Sequence, residues 1–322
     1  MTTTVATTEG GGRSGSERAA FYERPLCISC DSSGLRTLDR GTFGEAPHRS
    51  LLLDGIWGES PYPYLKDCEW ELVQCHRCDQ IFHKHLLTPE WDELRVSRWM
   101  TKEAIDRFEE ERGIRTPTAA FDRARSEVDH VLRLEKMTRQ MRNGAALRLL
   151  DFGCGWGHFV AIAGLFGFEA HGIDRHNARR DASRGIGTVF ENLEEYRANV
   201  SQPVHAATLF QVLEHLPAPA EILRALHELI APNGLLVVEV PDASGFRQLR
   251  NPQDLDICDG IDHVNAFTPT SLTAIVERAG FVRSRPVTAH VTADFSRVAK
   301  REMRRLVARF QGPTTHGIFR RI

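Results

Sequence analysis

The chain has 322 residues, with 41 Lys and Arg against 43 Asp and Glu and a formal net charge of −2. That length accommodates two domains, and the near balance of interspersed charges argues against nucleic acid as the main partner. No apolar run reaches the roughly 18 residues of a membrane span, and the start lacks the basic-then-apolar pattern of a secretory leader, so a cytoplasmic protein is expected.

Residues 1–20 are rich in Thr, Gly and Ser with little to bury and read as a disordered tail. Residues 21–87 read as a zinc-binding module. Of the seven cysteines, four form two C-x-x-C pairs, Cys27 with Cys30 and Cys75 with Cys78. Two such turns meet as a tetrahedral four-cysteine site, because the two-residue spacing lets both thiolates of a turn face one ion. A disulfide framework fits less well, since the cysteine count is odd and no leader is evident. A redox reading would need a C-x-x-C that opens a helix in a βαβ unit, and neither pair sits there. Cys68 is a substitute ligand in this reading, and Cys154 and Cys258 are ordinary thiols.

Residues 88–145 read as a helical linker or lid. Asp92–Arg112 is charge-dense, and Phe121–Met141 carries an apolar stripe at Val128, Val131, Leu132, Leu134, Met137 and Met141. A packing helix pair out of touch with any ligand is the plain alternative.

The most informative stretch is Leu149-Leu150-Asp151-Phe152-Gly153-Cys154-Gly155-Trp156-Gly157. It reads as a buried strand ending in a carboxylate, then glycines at alternate positions, then a helix from His158 to Gly167. Such glycines suit a backbone that turns sharply beneath a ligand. A G-x-G-x-x-G fingerprint would need glycine at 158, where His158 stands, and no P-loop ending follows. An ordinary tight βα turn is the alternative. Phe168–Asp174 reads as a second strand closing on Asp174. In a Rossmann-like sheet an acid there accepts ribose hydroxyls; a helix cap is the competing reading. Asp151 would orient the glycine loop, hold a ligand ammonium or face a helix N-terminus.

Next come a short strand, Gly187–Phe190, and Asn192, which suits a helix cap. Val204–Phe210 is apolar enough for a strand buried on both faces. It runs into Gln211-Val212-Leu213-Glu214-His215-Leu216-Pro217. Asn233-Gly234 is a turn, Leu235–Val240 a strand, Thr270–Ala279 a helix and Phe281–His290 a further strand. Strands alternating with helices of roughly ten residues predict a doubly wound α/β sheet over 146–290. Within 291–322, Lys300–Phe310 reads as a basic helix, either a plain surface helix or a clamp for an anionic substrate, and His316–Ile322 as an edge strand.

The whole order resembles the class I S-adenosylmethionine-dependent methyltransferases of the bacterial small-molecule type. The pieces are the glycine loop, the acidic strand end, Leu213-Glu214-His215, the Pro232-Asn233-Gly234 strand, His263-Val264-Asn265-Ala266-Phe267-Thr268 and Ala279-Gly280-Phe281. The N-terminal half is similar to the same group, through the two cysteine knuckles, Cys78-Asp79-Gln80-Ile81-Phe82 and Thr88-Pro89-Glu90. Relatives usually carry Gly after each knuckle; Asp31 and Asp79 stand there.

The resemblance implies a seven-stranded, mostly parallel Rossmann-like sheet with an N-terminal zinc-ribbon module. It implies S-adenosylmethionine held by Asp151, Gly153, Gly155, Gly157 and Asp174, with Asn192 beside the adenine and Gln211 at the same site, and a structural Zn2+. Glu214, His215 and His263 form its catalytic group. A histidine serves as the base that takes a hydroxyl proton, or the acid and histidines hold a divalent ion such as Mg2+. Gln211 replaces an acid in that pattern and is a poorer ligand. The acceptor is a small molecule (a sugar, glycan or natural-product hydroxyl, or a carbon), anionic or nucleotide-linked in one version. Two rival readings stand. One is an RNA-modifying enzyme whose zinc module grips nucleic acid, although residues 50–93 are mixed and acidic where that role needs clustered Lys and Arg. The other is a non-catalytic zinc-dependent binding protein. Oligomeric state is left open.

Overall fold

The computed structural model describes residues 18–113, 116–142, 144–183, 185, 187–285, 287, 296, 298–300, 303 and 314–322. In chain order the strands are β1 (Phe21–Glu23), β2 (Leu35–Thr42), β3 (Glu69–Cys75), β4 (Ile81–His83), β5 (His85–Leu87), β6 (Leu147–Phe152), β7 (Phe168–Ile173), β8 (Thr188–Phe190), β9 (Val204–Phe210), β10 (Ile230–Glu239), β11 (Asn265–Ala266), β12 (Phe281–Ser284) and β13 (His316–Arg321). The tail before residue 18 and most of Lys300–Phe310 lie outside the described residues. Among the described residues no helix is long and apolar enough to cross a membrane.

Seven strands form one sheet in the order β12-β13-β10-β9-β6-β7-β8. β6 to β10 run parallel, and β13 and β12 close one side antiparallel. This is the doubly wound, mostly parallel sheet that the sequence predicts. β9 shows why: Val204–Leu209 are all buried, as a strand covered by helices on both faces must be. Alternate residues divide between two cores. Leu150, Ala207, Leu236 and Val238 meet Leu223, Leu226, Leu272 and Ile275 of helices Pro219–Leu229 and Pro269–Arg278. Leu149, Ala206, Leu235 and Val237 meet Val131 and Leu134 of helix Pro117–Thr138 and Phe159 of helix His158–Leu165.

His316–Arg321 is not the edge strand its terminal position suggests. It lies between β10 and β12, and β12 is the edge. Two ladders and the burial of Ile318 and Phe319 hold it there, because an interior strand needs both backbone edges paired and an apolar side chain on each face.

The cysteine half is not self-contained within residues 21–87. Its four-stranded sheet has the order β11-β4-β3-β2, so the strand that completes it comes from residues 265–266. Without β11, β4 would present an unpaired edge. The shared core joins Trp57, Trp70, Trp91 and Trp99 to Ala243, Phe246, Leu249 and Ile261. Arg24, 7% exposed, ties the halves together. Its guanidinium donates to the carbonyl oxygens of His83, Pro217 and Val264 and, at 2.8 Å, to Asn265 Oδ1. Burial lowers its pKa to about 10, so it remains charged at neutral pH.

Candidate active site at the sheet reversal

Strand order reverses between β6 and β9, with β7 and β8 on one side and β10 on the other. In open α/β sheets, ligands bind outside the carboxyl ends of the strands at that reversal. A cavity of about 400 Å³ lies there, lined by Phe152, the last residue of β6, and Gly153 just after it, Asp174 after β7, Asn192 after β8 and Gln211 and Val212 after β9. That volume is within the usual range for small-molecule sites.

The glycine loop is shaped by backbone demands. Gly153, Gly155 and Gly157 have φ of 76°, 56° and 77°, a region that costs residues with a Cβ. At Gly153 a Cβ would also fall 2.5 Å from Val212 Cγ2. The group crowding this glycine is thus a side chain of the protein, where the sequence pattern suggests a bound ligand. Cys154 is buried behind the loop, and Trp156 is flanked by the cationic ends of Lys102 and Arg179.

Asp174, 5% exposed, accepts from the Gly155 N–H at 3.0 Å and the His176 N–H at 2.8 Å. It thus joins the end of β7 to the glycine loop. Asn192 lines the cavity and also caps helix Leu193–Asn199, accepting from the Glu195 N–H at 2.8 Å. Gln211 takes a φ of 55°, an uncommon turn for a residue with a side chain. Asp151 stands apart from the cavity lining. It is buried and accepts from Thr208 Oγ1 at 2.6 Å, and burial pushes its pKa up to about 7.

His215 sits in a one-turn helix, Leu213–His215, and lines the cavity with Asp262. Its Nδ1 is 3.1 Å from Asp262 Oδ1 and 3.0 Å from the Asp262 carbonyl oxygen. A carbonyl only accepts, so Nδ1 carries a proton and Nε2 is the free position. Burial works to lower the His215 pKa, but the Asp262 and Glu214 charges outweigh it and raise the value to about 9. Asp262 is held well below the usual carboxylate range despite burial, by His215 and Arg95. The His263 ring packs edge-on to His215 at 4.7 Å, outside the cavity lining, with Nδ1 2.8 Å from the Asp256 carbonyl oxygen.

Arg95 and Asp262 carry no sequence motif that would mark them. Arg95 opens the π-helical segment Arg95–Trp99, a geometry frequent at functional sites. It lines the cavity beside Val96 and Met100 and pairs with Asp262 at 2.5 Å and Asp92 at 2.9 Å. Asp92 in turn meets Arg175, after β7, at 2.6 Å. Part of the charge-dense helical segment therefore faces the cavity rather than only packing on the sheet.

Both carboxylate oxygens of Glu214 are buried without a hydrogen-bond partner. With His215 and His263, Glu214 forms a group whose ligand atoms lie within 4.8 Å of one another. Two of these three donors are imidazoles, whereas Mg2+ demands oxygen ligands in near-octahedral geometry. His215 Nδ1 is engaged besides, and Gln211 replaces the expected acid. The set does not fit Mg2+. Burial raises the Glu214 pKa.

The four knuckle cysteines converge. Cys27 and Cys78 sulfurs are 3.5 Å apart, and those of Cys30 and Cys75 are 3.6 Å apart. Tetrahedral zinc with Zn–S bonds of about 2.3 Å needs sulfurs about 3.8 Å apart, close to these spacings. The Ser29 and Arg77 N–H groups point at the Cys27 and Cys75 sulfurs. Asp31 and Asp79 take φ of 56° and 57°, so the aspartates do adopt the left-handed turn that relatives give to glycine. Cys68 is not part of the cluster. It is buried near Tyr64 and Ala19 instead, because β3 directs Cys75, and not Cys68, toward the knuckles.

A family model described as a methyltransferase domain matches residues 101–283, more than half of the chain. The chain is 26% identical over 172 residues to a ubiquinone biosynthesis O-methyltransferase from Aeromonas salmonicida (strain A449), covering 47% of this chain and 69% of that protein. It is 33% identical over 100 residues to the protein of the same description from Caulobacter sp. (strain K31), covering 29% of this chain and 40% of that one. Among solved structures it is similar to an S-adenosylmethionine-bound amino pentose methyltransferase from Micromonospora echinaspora, with a TM-score of 0.41, 18% identity and coverage of 63% and 95%. A Mesorhizobium loti S-adenosylmethionine-dependent methyltransferase gives a TM-score of 0.38 and 18% identity, with coverage of 60% and 100%. With that family spanning most of the sheet and the cavity at its reversal, the chain belongs to the class I S-adenosylmethionine-dependent methyltransferases.

Proposed function

We propose that the chain transfers the methyl group of S-adenosylmethionine to a hydroxyl oxygen of a small molecule. The observation that carries this reading is the cavity at the sheet reversal, which gathers Gly153, Asp174, Asn192, Gln211 and His215 from four strand ends. The O-methyltransferase descriptions of the matched relatives favour oxygen over carbon.

When bound, the cofactor supplies a methyl on a sulfonium that is already a good leaving group, so the chain's task is alignment and proton removal. Gly153, Gly155 and Gly157 let the backbone pass beneath the ligand, and Asp174 accepts from its ribose hydroxyls. Asn192 and Gln211 border the same space, and Asp151 fixes the end of β6 through Thr208. His215, oriented by Asp262, takes the acceptor's proton at Nε2. His263 buttresses the His215 ring. Cys27, Cys30, Cys75 and Cys78 hold a structural zinc. The helical segment 88–145 roofs the cavity through Arg95, Val96 and Met100.

Isothermal calorimetry with S-adenosylhomocysteine tests the site. The wild-type chain is expected to bind it, and Asp174→Ala to weaken binding at least tenfold. Unchanged affinity in that variant would remove Asp174 from the site.

A further inference from the structure

Away from the knuckles and from His215, another set of ligating side chains meets at the end of β10. Glu239 is the last residue of that strand, and His316, the first of β13, is its direct partner in the antiparallel ladder. His130, on helix Pro117–Thr138, packs its ring on that of His316, with centroids 5.0 Å apart and planes 19° from parallel, and on Phe210 at 4.9 Å. One nitrogen from each imidazole and one Glu239 oxygen lie within 4.8 Å of one another.

We propose that His130, Glu239 and His316 bind a divalent ion of the zinc class, which staples the long helix to the two strands. None of the three takes part in the methyl transfer proposed above. Two imidazoles and a carboxylate, with a position left for water, are a zinc-type donor set, whereas Mg2+ takes oxygen ligands. Ligand atoms about 2.0–2.2 Å from a tetrahedral ion stand ~3.4 Å apart. Rotation of these side chains supplies that contraction, since Glu239 and His316 are 38% and 32% exposed, and the same exposure lets an ion arrive from solvent.

His316 is held as ligating histidines are. Glu239 Oε2 accepts from its Nδ1 at 2.6 Å, and that bond keeps the Glu239 pKa below the ordinary glutamate value. A carboxylate only accepts, so Nδ1 carries the proton and Nε2 the lone pair. Nε2 is buried and has no hydrogen-bond partner among the described residues. A buried acceptor left unpaired costs free energy, and a carboxylate on the opposite nitrogen is the usual support of a metal-bound imidazole.

His130 is neutral at physiological pH. Burial, then His316 and Arg133, outweigh Glu239 and Asp129 and lower its pKa to about 4, so no proton competes for its lone pair. His215, in the Glu214 group, is the reverse case: its pKa of about 9 keeps a proton where an ion would bind. Glu239 Oε1 accepts from Gln211 Nε2 at 3.4 Å, and Gln211 lines the cofactor cavity. The ion would therefore fasten the helix beside the cofactor without entering its space.

The test uses the full chain with its knuckles loaded with zinc. Zn2+ and, separately, Mg2+ are titrated into it by calorimetry, and Co2+ is followed by its visible absorption. Expected are one further equivalent of Zn2+, no heat from Mg2+, and Co2+ bands without sulfur-to-metal charge transfer. His130→Ala and Glu239→Gln are each expected to weaken that equivalent at least about tenfold, and His263→Ala to change it by less than about twofold. Should His130→Ala fail to fold, Glu239→Gln, which keeps the side chain's shape, decides alone. A wild type that takes up no further Zn2+, or uptake that persists in both variants, overturns the inference. Loss in His263→Ala alone would assign the ion to the Glu214 group and overturn it as well.

Discussion

At the scale of the residue, His215 concentrates the chemistry. Burial would lower its pKa, but Asp262 and Glu214 together raise it to about 9, above the ordinary ~6.5. At neutral pH most of the molecules therefore carry a protonated ring. Single-turnover rates are expected to climb with pH and level off above about 9, and His215→Gln to lose about 10²–10⁴-fold and that climb together. A flat profile in the wild type would argue against His215 as the base. The same shift bears on stability. A group whose folded pKa is raised stabilises fully below its unfolded value and loses that contribution as pH passes the folded one. The melting-temperature gap between wild type and His215→Gln should thus be widest below about pH 6.5 and narrow toward pH 9. Asp174 and the glycines are legible in the sequence because they stand at fixed offsets from strand ends. Asp262 and Arg95 are not, since their meeting spans 167 residues of chain and leaves no local pattern.

At the scale of the element, the glycine loop separates two physical effects that a motif merges. Gly155 has a φ of 56°, and a Cβ placed there would meet no atom within 4 Å, so Gly155→Ala meets only backbone strain. That costs about 1–2 kcal/mol. Gly153→Ala adds the 2.5 Å clash with Val212 and is expected to cost more, by a further ~1–3 kcal/mol. Chemical denaturation of the two variants checks the order; equal losses would mean that Val212 yields freely. Long apolar strands such as Val204–Phe210 are readable with accurate bounds, because burial on both faces forces a continuous apolar run. β11 is not, since two residues carry no periodicity and its partner is remote. The interior position of β13 escapes the sequence for a related reason: an apolar run reveals a strand but not which neighbours it pairs with.

At the scale of the whole molecule, the two halves share a core and a sheet, so they should unfold together. If zinc holds the knuckles, adding a strong chelator should release one zinc per chain and lower the temperature of a single transition. Two separate transitions would show that the halves are energetically independent in spite of Arg24 and β11. The sequence makes the halves visible through composition, cysteines on one side and the glycine loop on the other. It does not show how they join, because the joining contacts are single residues scattered over both.

The strand that completes the cysteine half leaves the ribosome late. Ile81 and Phe82 are translated roughly 180 residues before Ala266 and Asn265, their partners in the ladder. At 5–20 residues per second that interval is roughly 10–40 s. For that time the nascent N-terminal sheet carries an open flank, and the chain must finish most of its catalytic sheet before the earlier sheet can close. Its order of synthesis and its order of completion are therefore inverted.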